Sequence, residues 1–300
     1  MPDSAIPSQF DRVPAARDVL ELAKPITWFP PMWAFMCGVV SSGVSIPDNW
    51  MFLVAGILLT GPLVCGTSQV INDYCDRHVD AINEPDRPIP SGRVSGRWPV
   101  WIALAGAAIS LAFAFALGPW VFLATCIALF SGWAYSSAPL RLKRNGWAGP
   151  LVCALSYEGL SWFTGASVMM GGIPSSTNLL ILLFYSLGAH GIMTMNDFKA
   201  IEGDRDTGLR SLPVTMGVRG AALFACAVMA FAQFAVIGIL FQHGLFPSAI
   251  IVGVFTSIQI GLMARWVRDP AKHAPWYNST GVSLYVFGML AAALGIGGYL

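Results

Sequence analysis

Apolar runs of about twenty residues recur along the whole chain, near 26–45, 50–71, 98–117, 119–137, 148–170, 177–195, 220–241, 245–266 and 279–299. Such a run crosses a bilayer as an α-helix, because lipid offers the backbone no partner outside its own helix. The runs are too long for strands and lack period-two alternation. The expected fold is therefore all-α, a polytopic membrane protein of about nine transmembrane helices. Composition agrees: only 11% of residues are charged and 55% are hydrophobic, whereas soluble domains carry about 25% charged residues. Residues 1–24 are polar and acidic, without the basic start and apolar core of a secretory signal. They read as a cytoplasmic N-terminal segment, with 25–300 as a single membrane domain. The six cysteines stand singly, in no zinc-type spacing, and read as small buried residues.

The basic residues orient the chain. Arg12, Arg17 and Lys24 precede the first run. Arg77, Arg87, Arg93 and Arg97 lie between the second and third, and Arg141, Lys143 and Arg144 between the fourth and fifth. Lys199, Arg205, Arg210 and Arg219 lie between the sixth and seventh, and Arg265, Arg268 and Lys272 between the eighth and ninth. With nine spans, all 17 Lys and Arg fall on one side. The positive-inside rule makes that side cytoplasmic and places the C-terminus opposite, as for a multi-pass protein of the cell inner membrane.

Two polar stretches on that side echo each other. INDYCDRHVD (71–80) and MNDFKAIEGD (195–204) each hold Asn-Asp-aromatic and end in Asp. The offset spans four runs, so both emerge in the same orientation, which suggests two related halves around a cavity opening to the cytoplasmic side. Asp73, Asp76 and Asp80 are spaced i, i+3, i+7, and Asn72 stands four before Asp76. If the second span continues as a helix, they form a column of oxygen ligands on one face. Asp197 and Asp204, seven apart, share a face in the same way, with Glu202 and Asp206 beside them. Massed carboxylates repel and are stable ionised mainly around a cation. Oxygen-only ligands suit magnesium, which binds a few carboxylates together with substrate phosphates. A single such stretch reads equally well as solvated loop charge, but two matching ones in so apolar a chain argue for function. Arg77, Arg87, Arg93, Arg141, Lys143, Lys199 and Arg205 surround the acids and are suited to gripping a diphosphate, although several also serve the positive-inside pattern. Oxygen ligands, a divalent metal, bases and a lipid setting together point to a prenyl diphosphate, whose departing diphosphate the metal and bases would stabilise.

At these residues the chain resembles the UbiA-type intramembrane prenyltransferase superfamily. That superfamily's Asn-Asp-x-x-Asp-x-x-x-Asp signature is matched by Asn72, Asp73, Asp76 and Asp80. Its second aspartate motif is matched by Asp197 and Asp204, with Ala200 where the intermediate aspartate would fall and Glu202 as the nearby substitute. KPITWFPPMWAF (24–35), NEPDRPIPSGR (83–93), APLRLKRNGW (138–147) and NDFKAIEGDRDTGLRSLPV (196–214) are similar to the chlorophyll and bacteriochlorophyll synthase branch.

The resemblance implies a nine-helix fold with a magnesium site at the cytoplasmic helix ends. Asn72, Asp73, Asp76, Asp80, Asp197 and Asp204 would hold two Mg2+ ions, for which Mn2+ could substitute. Asn72, Asp76, Asp197 and Asp204 would be catalytic, and Arg77, Arg87, Arg141, Lys143, Lys199 and Arg205 would bind diphosphate. The implied reaction esterifies the 17-propionate of bacteriochlorophyllide a with a geranylgeranyl or phytyl group, releasing diphosphate. The propionate is already ionised at neutral pH, so no general base is nominated. A chlorophyllide acceptor, or an aromatic ring as in quinone or haem O biosynthesis, are the alternatives. Membrane lipid is an expected partner, association with other pigment-biosynthesis enzymes is compatible with the resemblance, and no nucleic-acid partner is expected.

Two further residues are weighed as acceptor contacts. Glu158 stands inside the fifth run, where a lone acid is a functional hypothesis or a hydrogen bond to a neighbouring helix. His190 reads either as a ligand to the central magnesium of a chlorophyllide or as a hydrogen-bonded interior histidine. His78 faces away from the aspartate column. Trp28, Trp50, Trp120, Trp147 and Trp276 read as interface anchors. A cation transporter is the rival class, but transporters place such acids near the bilayer midplane. An alcohol phosphotransferase needs an Asp-Gly before an Ala-Arg pair, absent from the acidic stretches.

Overall fold

The computed structural model describes residues 13–206 and 208–300. Arg12, counted above among the basic residues, lies outside them. Apolar sequence becomes helix almost throughout. A short α1 (Ala16–Leu22) leads into α2 (Phe29–Ser41). Next come α3 (Pro47–Asn83), α4 (Trp98–Leu117) and α5 (Pro119–Ser136). Helix α6 runs over 148–170 and α7 is Ser176–Lys199. A short α8 (Ile201–Asp206) precedes α9 (Leu212–Gln242), α10 (Phe246–Trp266) and α11 (Pro270–Ile296). Among the described residues there is no strand, only one isolated bridge between Asn145 and Arg210.

Seven of these, α3, α4, α5, α7, α9, α10 and α11, are long and apolar enough to cross a membrane. The sequence reading expects nine spans. The other two expected segments are helical but different in kind. Helix α2 is 13 residues long. Helix α6 is interrupted by a π-turn, Leu155–Leu160, which carries Glu158. A second π-turn, Leu59–Cys65, interrupts α3 around Pro62, whose missing N–H and ring break the regular ladder.

The helices pack as lipid-solvated helices do, by close approach and internal polar bonds rather than by escape from water. Helix α2 lies against the second half of α6, where Gly38 faces the Trp162 carbonyl and Gly165 faces that of Phe35. A methyl group at either glycine would overlap that backbone. Beside this contact the Trp162 indole donates to Asn178 Oδ1 at 2.7 Å and to the Ser41 hydroxyl at 3.1 Å. Gln233 of α9 donates to Gln259 Oε1 and accepts from the Thr256 hydroxyl, both on α10. Large apolar side chains such as Phe115, Phe130, Phe231 and Ile250 face outward.

The basic loops meet at one end of this bundle. Gly146 N donates to Arg210 O at 2.9 Å and Arg210 N to Arg144 O at 3.1 Å, which ties the loop before α6 to the loop before α9. Trp266, at the end of α10, packs its ring 5.6 Å from Phe198 at the end of α7. Arg93, in the loop after α3, donates to Asp18 and Glu21 of α1 at 2.6–2.7 Å.

Candidate active site

The first acidic stretch lies on an unbroken helix, as its spacing predicts: α3 continues through Asp73, Asp76 and Asp80 to Asn83. The three carboxylates are neutralised in two groups. Asp73, 2% exposed, receives the Lys24 ammonium at 2.5 Å and has Arg87 at 3.6 Å. Asp80 shares Arg87, at 2.9 Å, with Glu84. Asp76 is held by Lys143 and by Arg141, the latter at 3.3 Å. The Asn72 amide donates to the Ser136 hydroxyl on α5 at 3.3 Å.

The second stretch is built differently. Spacing alone predicts a shared helical face for Asp197 and Asp204, but the helix breaks between them. Asp197–Lys199 is a 3₁₀ turn and Ala200 leaves helical geometry (φ −120°, ψ 12°) before α8 begins. Both aspartates line one cleft all the same. Asp204 sits outside the spanning helices, and burial raises its carboxyl above the ordinary range while the Ser211 hydroxyl opposes that shift. A neighbouring cation would favour its ionised form.

That cleft, about 610 Å³, is bounded by α2, α5, α6, α7 and α11. Asn196, Asp197, Asp204 and Lys143 line it at the polar end, and Glu158, Trp33 and Val286 line it further along. A separate cavity of about 210 Å³ lies between α3, α5 and α6, with Asn72 and Ser136 at its polar end. Tyr135, Cys153 and Tyr157 line both. Lys143 joins the two acidic stretches, since it bonds Asp76 and borders the cleft of Asp197 and Asp204. Tyr135 lies within electrostatic reach of Asp76, Asp197 and Asp204.

The remaining expected residues separate by position. Arg141 and Lys143 are in the site. Arg87 serves Asp73, Asp80 and Glu84. Arg77 turns back onto its own helix, donating to Tyr74 O at 2.6 Å with its guanidinium 4.4 Å over the Tyr74 ring. Lys199 is exposed but within electrostatic reach of Asp197, and Arg205 and Glu202 are exposed. His190 is an interior histidine: its Nε2 lies 3.1 Å from Trp147 O and its Nδ1 3.4 Å from Thr194 Oγ1, and it borders neither cavity. Glu158 is 5% exposed, lines the cleft, and its Oε2 has no partner among the described residues.

Sequence reasoning passed over Lys24 and Tyr135. Lys24 was legible only as a positive-inside charge, and its left-handed backbone (φ 50°) turns it onto Asp73. Tyr135 carries no sequence signal beyond its place at the end of a span.

Among the described residues no three His, Cys, Asp or Glu side chains converge as a self-sufficient metal cage. The pairs present suit magnesium, which takes one or two carboxylates and completes its shell with water and substrate phosphates.

The UbiA prenyltransferase family model matches residues 29–297. The chain is 54% identical over 286 residues to the "Bacteriochlorophyll synthase 33 kDa chain" of Cereibacter sphaeroides, covering 95% of each. It is 36% identical to the chloroplastic chlorophyll synthase of Avena sativa, covering 92% of this chain and 75% of that one. A solved UbiA homolog from Archaeoglobus fulgidus, bound to GPP and Mg2+, superposes with a TM-score of 0.68 at 20% identity, covering 91% of this chain and 99% of that one.

Proposed function

The chain belongs to the UbiA prenyltransferase family, and from that membership we propose that it esterifies the 17-propionate of bacteriochlorophyllide a with geranylgeranyl or phytyl diphosphate. It is a multi-pass membrane prenyltransferase of the bacteriochlorophyll synthase type. The observation that carries the reading is the 54% identity to a bacteriochlorophyll synthase chain over 95% of both proteins. The lower identity to chlorophyll synthase, 36%, favours the bacteriochlorophyllide acceptor over chlorophyllide.

Asn72, Asp76, Asp80, Asp197 and Asp204 would hold the magnesium ions, and Arg87, which neutralises Asp80 in this structure, would bind phosphate. Asp73 anchors Lys24 and Arg87. The metal supplies charge neutralisation of the diphosphate, the Lewis-acid part of the chemistry. Arg141 and Lys143, bonded to Asp76 in the substrate-free site, exchange that carboxylate for phosphate oxygens when the magnesium salt of the prenyl diphosphate enters. Their charges stabilise the leaving group as the C1–O bond of the prenyl chain breaks and the electron pair departs with diphosphate. A propionate oxygen of the acceptor forms the new bond to C1. The propionate is ionised at neutral pH, so no side chain removes a proton from it. The apolar walls keep water from capturing the allylic carbon. The site faces the cytoplasmic side of the inner membrane.

Purified protein offered bacteriochlorophyllide a, an aromatic-ring acceptor and labelled geranylgeranyl diphosphate should form only the tetrapyrrole ester. Chelation should stop the reaction and added Mg2+ restore it, and Asp204→Ala should lower kcat by about 10²-fold or more. Ring prenylation without any ester would refute the reading.

A further inference from the structure

We propose that the turn between α10 and α11 holds the headgroup of an anionic phospholipid, which braces the neighbouring turn that carries Asp197.

The charge of this region is one-sided. From Phe246 to Leu300 the chain has one acid, Asp269, against Arg265, Arg268 and Lys272. Asp269 is taken up by the start of α11, where its carboxylate accepts from Lys272 N at 3.4 Å. All three bases are exposed, and among the described residues none of them is ion-paired. The bases nearer the acidic stretches differ: Lys24, Arg87, Arg93, Arg141 and Lys143 each reach a carboxylate. A basic cluster without counter-ions at a membrane surface attracts anionic lipid, whereas one matched by acids is already neutral.

The backbone beneath these bases is fixed. Trp266 Nε1 donates to Pro270 O at 3.0 Å, Asp269 N to Trp266 O at 3.2 Å and His273 N to Asp269 O at 3.0 Å. The Arg265 guanidinium lies 4.4 Å over the Trp276 ring, and the His273 ring lies 6.2 Å from the same indole. His273 Nδ1 is shielded from solvent and has no partner among the described residues. Held by Trp276, Arg265 offers phosphate a fork whose position is already set, so little entropy is lost on binding.

The rest of the face makes the ligand a lipid and not free phosphate. Ile250, Val254 and Ile258 are exposed on α10 and spaced four apart, and Arg265 stands seven beyond Ile258. One helix face therefore presents an apolar strip that ends in a cation, which matches an acyl chain beneath its phosphate. The brace follows from Trp266. Its buried ring lies 5.6 Å from Phe198 and 4.8 Å from Tyr277, and Phe198 sits in the 3₁₀ turn Asp197–Lys199. A headgroup joining Arg265 of α10 to Lys272 of α11 holds Trp266 from both sides and stiffens its contact with that turn.

The full chain in neutral detergent is titrated with dioleoylphosphatidylglycerol and followed by native mass spectrometry. Wild type should bind this lipid about tenfold or more tightly than dioleoylphosphatidylcholine, which has the same tails and no net charge. Arg265→Gln/Lys272→Gln should bind it about thirtyfold more weakly, at about fivefold for each charge lost. Lys272→Gln alone should cost about fivefold, and it stands in should the double variant melt without cooperativity. Arg97→Gln/Arg219→Gln, which removes as much charge from other cytoplasmic loops, should stay within about twofold of wild type. Amide protection over 196–206 should rise with phosphatidylglycerol in wild type and not in Arg265→Gln/Lys272→Gln. Equal losses in the two double variants would reduce the site to diffuse surface charge and overturn it. Displacement of the lipid by inorganic phosphate at equal concentration would do the same, since it marks a site for the ion alone. Protection over 196–206 that ignores the lipid overturns the brace.

Discussion

Lys24 illustrates how a single residue gains a role from distance alone. Its ammonium and the Arg87 guanidinium neutralise Asp73, which is 2% exposed. Removing one partner of a buried charged bond leaves the other desolvated and unpaired, which costs more than the bond itself contributes. Lys24→Met should therefore lower stability by about 2 kcal/mol. The double variant Lys24→Met/Asp73→Leu should recover more than half of that loss in a thermal melt. A double variant no more stable than Lys24→Met would show that the pair is not what holds this corner. The acids themselves were legible from spacing, as were Arg141 and Lys143 from their loop. Lys24 was not, since 49 residues separate it from Asp73. Arg77 marks the opposite failure: beside the acids in sequence, it is taken up by Tyr74 of its own helix.

At the scale of elements, the two acidic stretches look alike in sequence and fold differently. Helix α3 carries the first through to Asn83, so the heptad-like spacing does what it predicts. The second breaks at Ala200, yet both of its aspartates line the same cleft. The loop after α3 is held by Arg93, which bridges Asp18 and Glu21 of α1. Hydrogen bonds from Arg93 hold the Glu21 carboxyl below its ordinary range, with burial opposing and the Arg93 charge adding. A lowered folded value means that this docking is fully present above about pH 4.3, the unfolded value, and is lost as pH falls through the folded one. The amide protection factors over 16–22, normalised to the intrinsic exchange rate at each pH, should accordingly fall on acidification from pH 6 to 3 and change little between pH 6 and 9. Arg93→Ala should show low protection factors at both ends, and wild-type protection factors that ignore pH would refute the dock. Neither π-turn was legible, because i→i+5 bonding has no composition of its own, although Pro62 marks one of the two sites.

Across the whole molecule, the loop before α6 is tied to the loop before α9 and the end of α10 packs on the end of α7, and nine spans with every basic residue on one side remain the proposed topology. An impermeant thiol reagent added outside intact cells should label a single cysteine placed beyond Leu300 in a cysteine-free variant and should not label one placed at Arg97. Labelling of both, or of neither, would overturn the expected topology. Helical class, membrane residence, the two acidic stretches and the family were readable from the chain, because hydrophobic length, charge asymmetry and ligand spacing are local properties that lipid and helix geometry act on directly. Which bases neutralise which acids, that Asp197 and Asp204 share a cleft across the break at Ala200, and that Glu158 borders a cleft while His190 does not were settled only by packing. Several of those relations, such as Lys24 with Asp73 and Lys143 with Asp76, join residues tens of positions apart, and no periodicity encodes a distance that exists only once helices have been pressed together.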